Sequence, residues 1–353
     1  MTSPGETRTG ARPRSAARVL GLLGLVALAV VVLLISIGIG SRDIGLAQSW
    51  SLLWGGDGGL DVSSGRTGTE AAIVRDLRLP RGLLALAVGA ALGLSGAVMQ
   101  GLSRNPLADP GLLGVNAGAA TAVVIAIGAF GIGTVTGYVW FALVGAALAM
   151  VAVHVLGATG RSSGTPDRLV LAGAAVTAVL IALVNAALVL SPRTFDSFRF
   201  WNLGSLSGRG VDVLLAVAPF IAVGVVAAFA MARALDTLVL GDRAGTALGL
   251  DVGRTRVYAG VAATVLAGAA TAAVGPIAFL GLAVPHAVRF LVGPAHRWVL
   301  PYTAVLGAIV LLVADVVGRV LAPPGEIQVG VTTAVLGVPV FVALCRRRRL
   351  VSV

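Results

Sequence analysis

The side chains in this sequence that could do chemistry are few, and most of them are arginines. All 26 basic residues are arginine, and lysine does not occur. A phosphate-binding loop and a Schiff-base site each need a lysine, so neither is predicted. His154 and His286 stand far apart, Cys345 is the single cysteine, and neither an HExxH nor a GxSxG motif occurs. The sequence therefore predicts no catalytic residue, no metal site and no cofactor of its own.

One carboxylate stands inside a long apolar stretch, and it is the best candidate for ion chemistry. Asp315 lies in the apolar run that begins at Val299, with Arg319 four residues later. A carboxylate in such a run can act as a proton or ion relay, which keeps an ion-coupled secondary transporter open as an alternative. The four-residue spacing equally fits an ion pair along one face of a helix.

The composition places these residues in a membrane protein. Hydrophobic residues make up 57% of the 353 residues and charged residues 12%, and the mean hydropathy is +0.97. The apolar runs are continuous and about as long as a membrane-spanning helix requires. The net charge of +11 comes from arginines at the chain ends and in short connections. This distribution fits membrane topology, so no nucleic-acid partner is predicted.

Charged residues divide the chain into an all-α polytopic membrane protein with about ten transmembrane helices. We take 1–18 as a disordered basic cytoplasmic tail, 19–345 as one ten-helix domain and 346–353 as a second basic cytoplasmic tail. An even number of spans places both termini in the cytoplasm, as the positive-inside rule favours. The spans are predicted at 19–41, 82–103, 111–153 (divided at 131–134), 169–190, 213–231, 257–288 (divided at 275–276), 299–320 and 327–344.

Several segments differ from ordinary spans and loops. Gly89, Gly93 and Gly96 are spaced to let two helices approach closely, and two Asx-Pro breaks follow within 100–109. Aromatic residues at 197–206 fit an interfacial belt. The segment 238–252 has helical periodicity but is too short to span. It is either an amphipathic helix on the membrane surface or a docking helix for a cytoplasmic partner.

The order of these segments resembles a known family. The stretches RLPR, GAALGLSGAVMQGLSRNPLADPGLLGVNAG, LGDRAGTALGL, GPIAFLGLAVPHAVR, LLVADVVGR and PGEIQVGVTTAVLGVPVF occur in sequence from about residue 70 to the C-terminus. Together they resemble the FecCD/BtuC family, the permease subunits of binding-protein-dependent ATP-driven importers. The N-terminal tail and the segment around Trp50 to Thr69 do not take part in the likeness.

The resemblance implies the partners and the cargo. Two permease subunits, identical or paralogous, would form a dimer in the cytoplasmic membrane of a bacterium. Two cytoplasmic ATPase subunits would bind the ATP, and a substrate-binding protein would dock on the outer side. The cargo implied is a ferric siderophore, with cobalamin or haem as alternatives. The arginines that match the family's docking positions are Arg78, Arg81 and Arg319.

The resemblance also assigns two further sets of residues. The segment 238–252 corresponds to the coupling helices that contact the ATPase subunits, and the residues expected there are Gly241, Asp242, Arg243, Ala244, Gly245, Leu248 and Gly249. The translocation path would run along the fifth span and its neighbours, where the candidates are Asn116, Thr177 and Asn185.

Overall fold

The long helices form where the sequence is apolar and uninterrupted. The computed structural model describes residues 13–40, 46–54, 70–158, 166–323 and 325–346. The α-helices of these residues are α1 Pro13–Gly38, α2 Leu46–Trp54, α3 Leu79–Ser103, α4 Val115–Phe130, α5 Val135–Ala158, α6 Pro166–Leu190, α7 Pro192–Asn202, α8 Val211–Ala230, α9 Ala232–Val239, α10 Asp242–Ala247, α11 Val252–Val274, α12 Leu280–Val292, α13 His296–Leu321 and α14 Val329–Arg346.

The predicted fold class is confirmed. Seven helices, α1, α3, α5, α6, α8, α11 and α13, are long and apolar enough to cross a membrane, and α4, α12 and α14 are shorter apolar helices. These correspond one for one to the ten predicted spans. Helix α1 begins at Pro13, inside the stretch predicted as a disordered tail. Residues 1–12 and 347–353 of the predicted tails, and most of the segment 42–70, lie outside the described residues.

The predicted breaks between helices fall at glycines with left-handed or otherwise positive φ. Gly131 ends α4 at φ 67°, and its N–H donates to the carbonyl of Ala126. Gly275 ends α11 at φ 84°. In the segment 238–252, Gly241 at φ 98° separates α9 from α10, and Gly249 at φ 85° precedes α11. One continuous helix through that segment is therefore excluded, because an α-helix needs a φ of about −63° at every residue.

Helix α3 lies at the centre of the bundle, with α8, α11, α12 and α13 packed around it. Its glycines allow this, as their spacing predicted: Gly89 lies against Gly307, and Gly96 against Gly281. Lipid removes the hydrophobic driving force between helices, so close packing of small residues holds them together. Helices α1 and α6 lie at the periphery, and only 11% of each apolar window is buried.

Candidate functional sites at the two ends of the bundle

The three arginines predicted to dock a partner lie together at one end of the bundle. Arg78, Arg81 and Arg319 line a single hollow of about 320 Å³. Helix α3 begins beside this hollow and ends at Ser103, beside the segment 238–252. The 25 residues of α3 rise about 1.5 Å each. The arginine hollow and the predicted coupling segment are therefore separated by the length of a membrane-spanning helix.

Arg81 is held by two carboxylates. Its Nη2 donates to Asp315 Oδ1 over 2.8 Å, and its Nε lies 3.1 and 3.2 Å from the two Asp315 oxygens. Its Nη1 donates to Glu326 over 2.8 Å. The side chain of Asp315 is 1% exposed and that of Glu326 is 24% exposed. Arg81 thus joins a buried carboxylate to one at the rim of the hollow.

Arg78 and Arg319 cap the C-terminal end of α1. Arg78 Nη1 donates to the carbonyls of Ile37 and Gly38 over 2.9 and 3.1 Å. Arg319 Nη1 donates to the carbonyls of Ser36 and Ile39 over 3.0 and 2.6 Å. The last carbonyls of a helix have no partner within it and carry its negative dipole end, so two guanidinium groups stabilise this terminus. Both arginines are at most 6% exposed.

The local sequence explains how Arg78 and Arg81 reach the hollow. A π-helical turn, Ile73–Arg78, leads directly into α3, and Pro80 lies in the first turn of α3. Proline at this position loses no hydrogen bond, because the first N–H groups of a helix have no partner. A π-turn has wider spacing than an α-turn and is common at functional sites.

Two residues of the hollow were not predicted as site residues. Arg209 lies in the connection between α7 and α8, where its Nη1 donates to the Tyr138 hydroxyl over 2.8 Å. Glu326 lies in the stretch before α14. A charged residue in a short connection was the available signal for both. Nothing local indicated that these connections meet the start of α3.

At the opposite end of the bundle, ion pairs of Asp242 join α10 to α11 and to the residue that follows α3. Its carboxylate accepts from Arg104, just after α3, over 3.1 Å, and from Arg256 of α11 over 2.9 Å. Arg104 has a left-handed φ of 52°, which turns the chain at the end of α3. The predicted coupling residue Asp242 therefore connects α10 to helices of the membrane domain.

The other predicted coupling residues divide into buried and exposed positions. Gly245 is buried and Ala244 is half-buried. Arg243 and Gly249 are exposed, and Leu248 is 68% exposed. The nearby Leu240 is 64% exposed. Leu240 and Leu248 thus leave apolar surface exposed on either side of the short helix α10.

The same end carries a second interhelical link. Asp236 of α9 accepts from the backbone N–H of His296 over 2.7 Å, and its carboxylate lies 2.8 Å from His296 Nδ1. Burial raises the pKa of Asp236, but the hydrogen bonds from His296 and the charges of His296 and Arg297 outweigh it, so the net pKa is lowered. Asp236 thus caps the start of α13 from a neighbouring helix.

Two of the three path candidates lie close together. Asn116 Oδ1 accepts from the Thr271 hydroxyl over 2.9 Å. The Thr177 hydroxyl is buried and has no hydrogen-bond partner among the described residues. Both lie beside the 3₁₀ turn Pro110–Leu113, through Gly111 and Gly114. Asn185 is exposed, eight residues further along α6, and is not in this group.

A polar layer lies in the core between α3 and α12. Gln100 donates to the carbonyls of Gly281 and Leu282 over 3.3 and 3.1 Å, and it accepts from Arg289. Asp109, in the connection after α3, accepts from the Gly111 N–H over 2.7 Å. Burial raises the pKa of Asp109, and the Gly111 hydrogen bond partly opposes it.

Comparison with known proteins identifies the class to which these sites belong. The sequence profile of the FecCD transport family matches residues 28–347. The ferric enterobactin transport system permease protein FepD of Escherichia coli (strain K12) is 42% identical over 332 residues, 94% of this chain and 96% of that protein. The hemin transport system permease protein HmuU of Yersinia pestis is 37% identical, over 91% of this chain and 95% of that protein.

A solved structure agrees with the sequence relatives. It is described as an inward-facing conformation of a metal-chelate type ABC transporter, and it matches this chain with a TM-score of 0.80 and 28% identity. The match covers 93% of this chain and 99% of that one. This chain therefore belongs to the FecCD transport family, as its motifs predicted. Its class is the membrane-embedded permease subunit of an ABC importer.

Proposed function

We propose that this permease carries a ferric siderophore across the cytoplasmic membrane of a bacterium by alternating access, with both termini in the cytoplasm. The observation that carries the cargo assignment is the 42% identity, over 94% of this chain, to a permease named for ferric enterobactin. A permease named for hemin is 37% identical, which makes haem the second candidate, with cobalamin behind it. ATP is hydrolysed by two partner ATPase subunits, and a second permease subunit, identical or paralogous, completes the path.

The arginine hollow is the proposed contact for the substrate-binding protein. Guanidinium groups bind carboxylates with directional paired hydrogen bonds, and a hollow lined by Arg78, Arg81 and Arg319 suits an acidic projection. Their internal bonds refine this proposal. Arg78 and Arg319 serve mainly to hold α1, so Arg81, whose side chain is 14% exposed, is the one best placed to meet an incoming carboxylate.

Helix α10 is the proposed contact for the ATPase subunits. The exposed Leu240 and Leu248 supply apolar surface, and the Asp242 pairs transmit a displacement of α10 to α3 and α11. Proline at Gly245 would remove the N–H that donates to the Gly241 carbonyl over 2.8 Å and break the helix, at a cost of about 3 kcal/mol. Uptake should then be lost while ATP hydrolysis continues; normal uptake would contradict this assignment.

An ion-coupled carrier is the less favoured alternative. Asp315, its candidate relay, is 1% exposed and forms ion pairs with Arg81 at 2.8 Å and Arg319 at 3.1 Å. Both arginines hold this carboxylate inside the fold, whereas a relay needs a carboxylate that a transported ion can reach. The i,i+4 pair with Arg319 is the one that the sequence spacing indicated.

Uptake assays test both the cargo and the energy source. A strain lacking the gene is supplied in turn with labelled iron as a triscatecholate, a trishydroxamate or a citrate complex, and with labelled haem and cobalamin. We expect loss of uptake for one ferric siderophore class, restored by the gene and not restored in a strain whose partner ATPase is inactive. Loss of haem or cobalamin uptake alone would overturn the siderophore assignment. Uptake that persists without the ATPase and follows the ion gradient would overturn the importer mechanism.

A further inference from the structure

A hollow between α1, α12 and α13 combines one cation with apolar walls. It has a volume of about 370 Å³ and lies at the end of the bundle that carries α10. Arg18 stands at this hollow, and its other walls include Leu25, Leu291, Val292 and Tyr302. None of the sites described above uses these residues.

Arg18 is fixed in place, but its charge is not neutralised by the described part of the chain. The Tyr302 hydroxyl donates to the Arg18 carbonyl, and the guanidinium lies 5.8 Å from the centre of the Trp298 ring. Among the described residues, no carboxylate forms a salt bridge with Arg18. Asp236, a carboxylate at the same end of α13, is occupied by His296.

A second hollow lies further along the same pair of helices, with α14 as its third wall. It measures about 270 Å³, and every residue that lines it is apolar or glycine. On α12 its Ala283 and Ala287 are followed after four residues by Leu291 of the first hollow, and residues four apart share one face of a helix. On α13 the same spacing relates Tyr302 of the first hollow to Leu306 and Val310 of the second.

We call the two hollows together the crevice, and its length suits part of a lipid acyl chain. The eight residues from Leu291 back to Ala283 span about 12 Å of helix. The crevice thus runs from a cation at the membrane interface to an uncharged hollow deeper between the helices, and apolar surface of this kind faces acyl chains. Three further arginines, Arg8, Arg12 and Arg14, precede Arg18 in the sequence.

We propose that this crevice is a binding site for one anionic phospholipid, with its phosphate on Arg18 and an acyl chain along α12 and α13. A guanidinium forms strong charge-assisted bonds with phosphate. A zwitterionic headgroup would bring its own cation next to the unpaired arginine, so a phosphatidylglycerol-type headgroup is preferred. The bound lipid would fill the space between α1, α12 and α13.

Native mass spectrometry of the full-length protein, purified in equimolar phosphatidylglycerol and phosphatidylcholine, tests this proposal. We expect phosphatidylglycerol to be retained in excess, and Arg18→Gln to lower that excess by about fivefold, the effect of one arginine near an anionic lipid surface. Arg233→Gln is the matched control, because it removes an exposed arginine of α9 outside the crevice. Equal retention of the two lipids by the parent protein, or an equal effect of the two substitutions, would overturn the proposal.

Two further measurements distinguish a bound lipid from a bound soluble anion. Ala287→Phe fills the apolar hollow and should reduce retention of both lipids, while elution on size exclusion confirms that the variant is folded. Millimolar glycerol 3-phosphate should not displace phosphatidylglycerol. Displacement by this headgroup analogue, or full retention in Ala287→Phe, would show that no acyl chain occupies the crevice and would also overturn the proposal. Transport is not measured, so failure here leaves the proposed cargo untouched.

Discussion

Arg81 and Asp315 are 234 residues apart in the chain and meet through three close N–H to oxygen approaches of 2.8 to 3.2 Å. The contact ties the start of α3 to the end of α13. Arg319 Nη2 forms an ion pair with Asp315 Oδ2 at 3.1 Å, and Arg81 Nη1 forms one with Glu326 at 2.8 Å. Two guanidinium groups and two carboxylates thus form a neutral network where the proposed binding-protein contact lies.

Removing the charge of Arg81 should destabilise the fold more than removing that of Glu326. Arg81→Gln leaves the buried Asp315 with Arg319 alone, and breaking such a pair costs about 3 kcal/mol. Glu326→Gln removes a partner that is 24% exposed, and such surface pairs contribute about 1 kcal/mol or less. Denaturant unfolding of the purified permease, followed by tryptophan fluorescence, measures both. Equal losses of unfolding free energy would show that the Asp315 contact adds nothing.

Replacing Arg78 should loosen the end of α1 in particular. Without its guanidinium, the carbonyls of Ile37 and Gly38 lose a donor, and each lost bond of this charged type costs about 1.5 kcal/mol or more. Hydrogen–deuterium exchange of Arg78→Ala should therefore rise by at least about tenfold at residues 35–39, the factor that each 1.4 kcal/mol represents.

Arg75 provides the matched control for that experiment. Its Nε donates to the Leu52 carbonyl over 2.7 Å, so Arg75→Ala should raise exchange in α2 and leave the end of α1 unchanged. If both variants affect the same peptides, the capping role assigned to Arg78 is wrong.

Local sequence predicts the helices and their breaks, but not the partners of the charged residues. Apolar run length and the glycines at 131 and 275 are local signals, and both breaks fall where they were predicted. The Asp315–Arg319 pair also follows from i,i+4 spacing. The contacts of Asp315 with Arg81, and of Asp242 with Arg104, join residues more than a hundred positions apart. Only packing of the whole bundle around α3 brings them together, so no periodicity could indicate them.

Removing the carboxylate of Asp242 should uncouple transport from ATP hydrolysis. Its pairs with Arg104 and Arg256 are partly exposed, so each contributes up to about 1 kcal/mol and the fold should survive. Because α10 then lacks its links to α3 and α11, Asp242→Ala should lower cargo uptake several-fold per ATP hydrolysed in reconstituted vesicles. Asp196→Asn, which alters an exposed i,i+3 pair on α7, is the control. An unchanged ratio for Asp242→Ala would contradict the proposed route of coupling.

Asp109→Asn should stabilise the protein at neutral pH. Burial raises the pKa of Asp109 above its unfolded value, with the Gly111 N–H partly opposing. The contribution of this group to stability is therefore fully present below the unfolded pKa and is lost as pH rises through the folded pKa. Asparagine keeps an acceptor for the Gly111 N–H without the charge. The gain in melting temperature of Asp109→Asn over the parent protein should be larger at pH 7.5 than at pH 4. A gain that is equal at both values, or that the exposed Asp196→Asn reproduces, would contradict this account.

Adding a methyl group at Gly96 should separate α3 from α12. A Cβ there would stand well inside contact distance of the Gly281 carbonyl oxygen, which is backbone and cannot rotate away. Overpacking of this kind costs about 1–3 kcal/mol. At Gly24 of α1, by contrast, a Cβ would meet nothing within 4 Å, and replacing a mid-helix glycine by alanine stabilises a helix by about 0.5–1 kcal/mol. Thermal unfolding of Gly96→Ala and Gly24→Ala should therefore shift in opposite directions. A shift of the same sign in both would mean that the close approach of α3 and α12 does not depend on glycine, and that the bundle can relax around α3 without losing its packing.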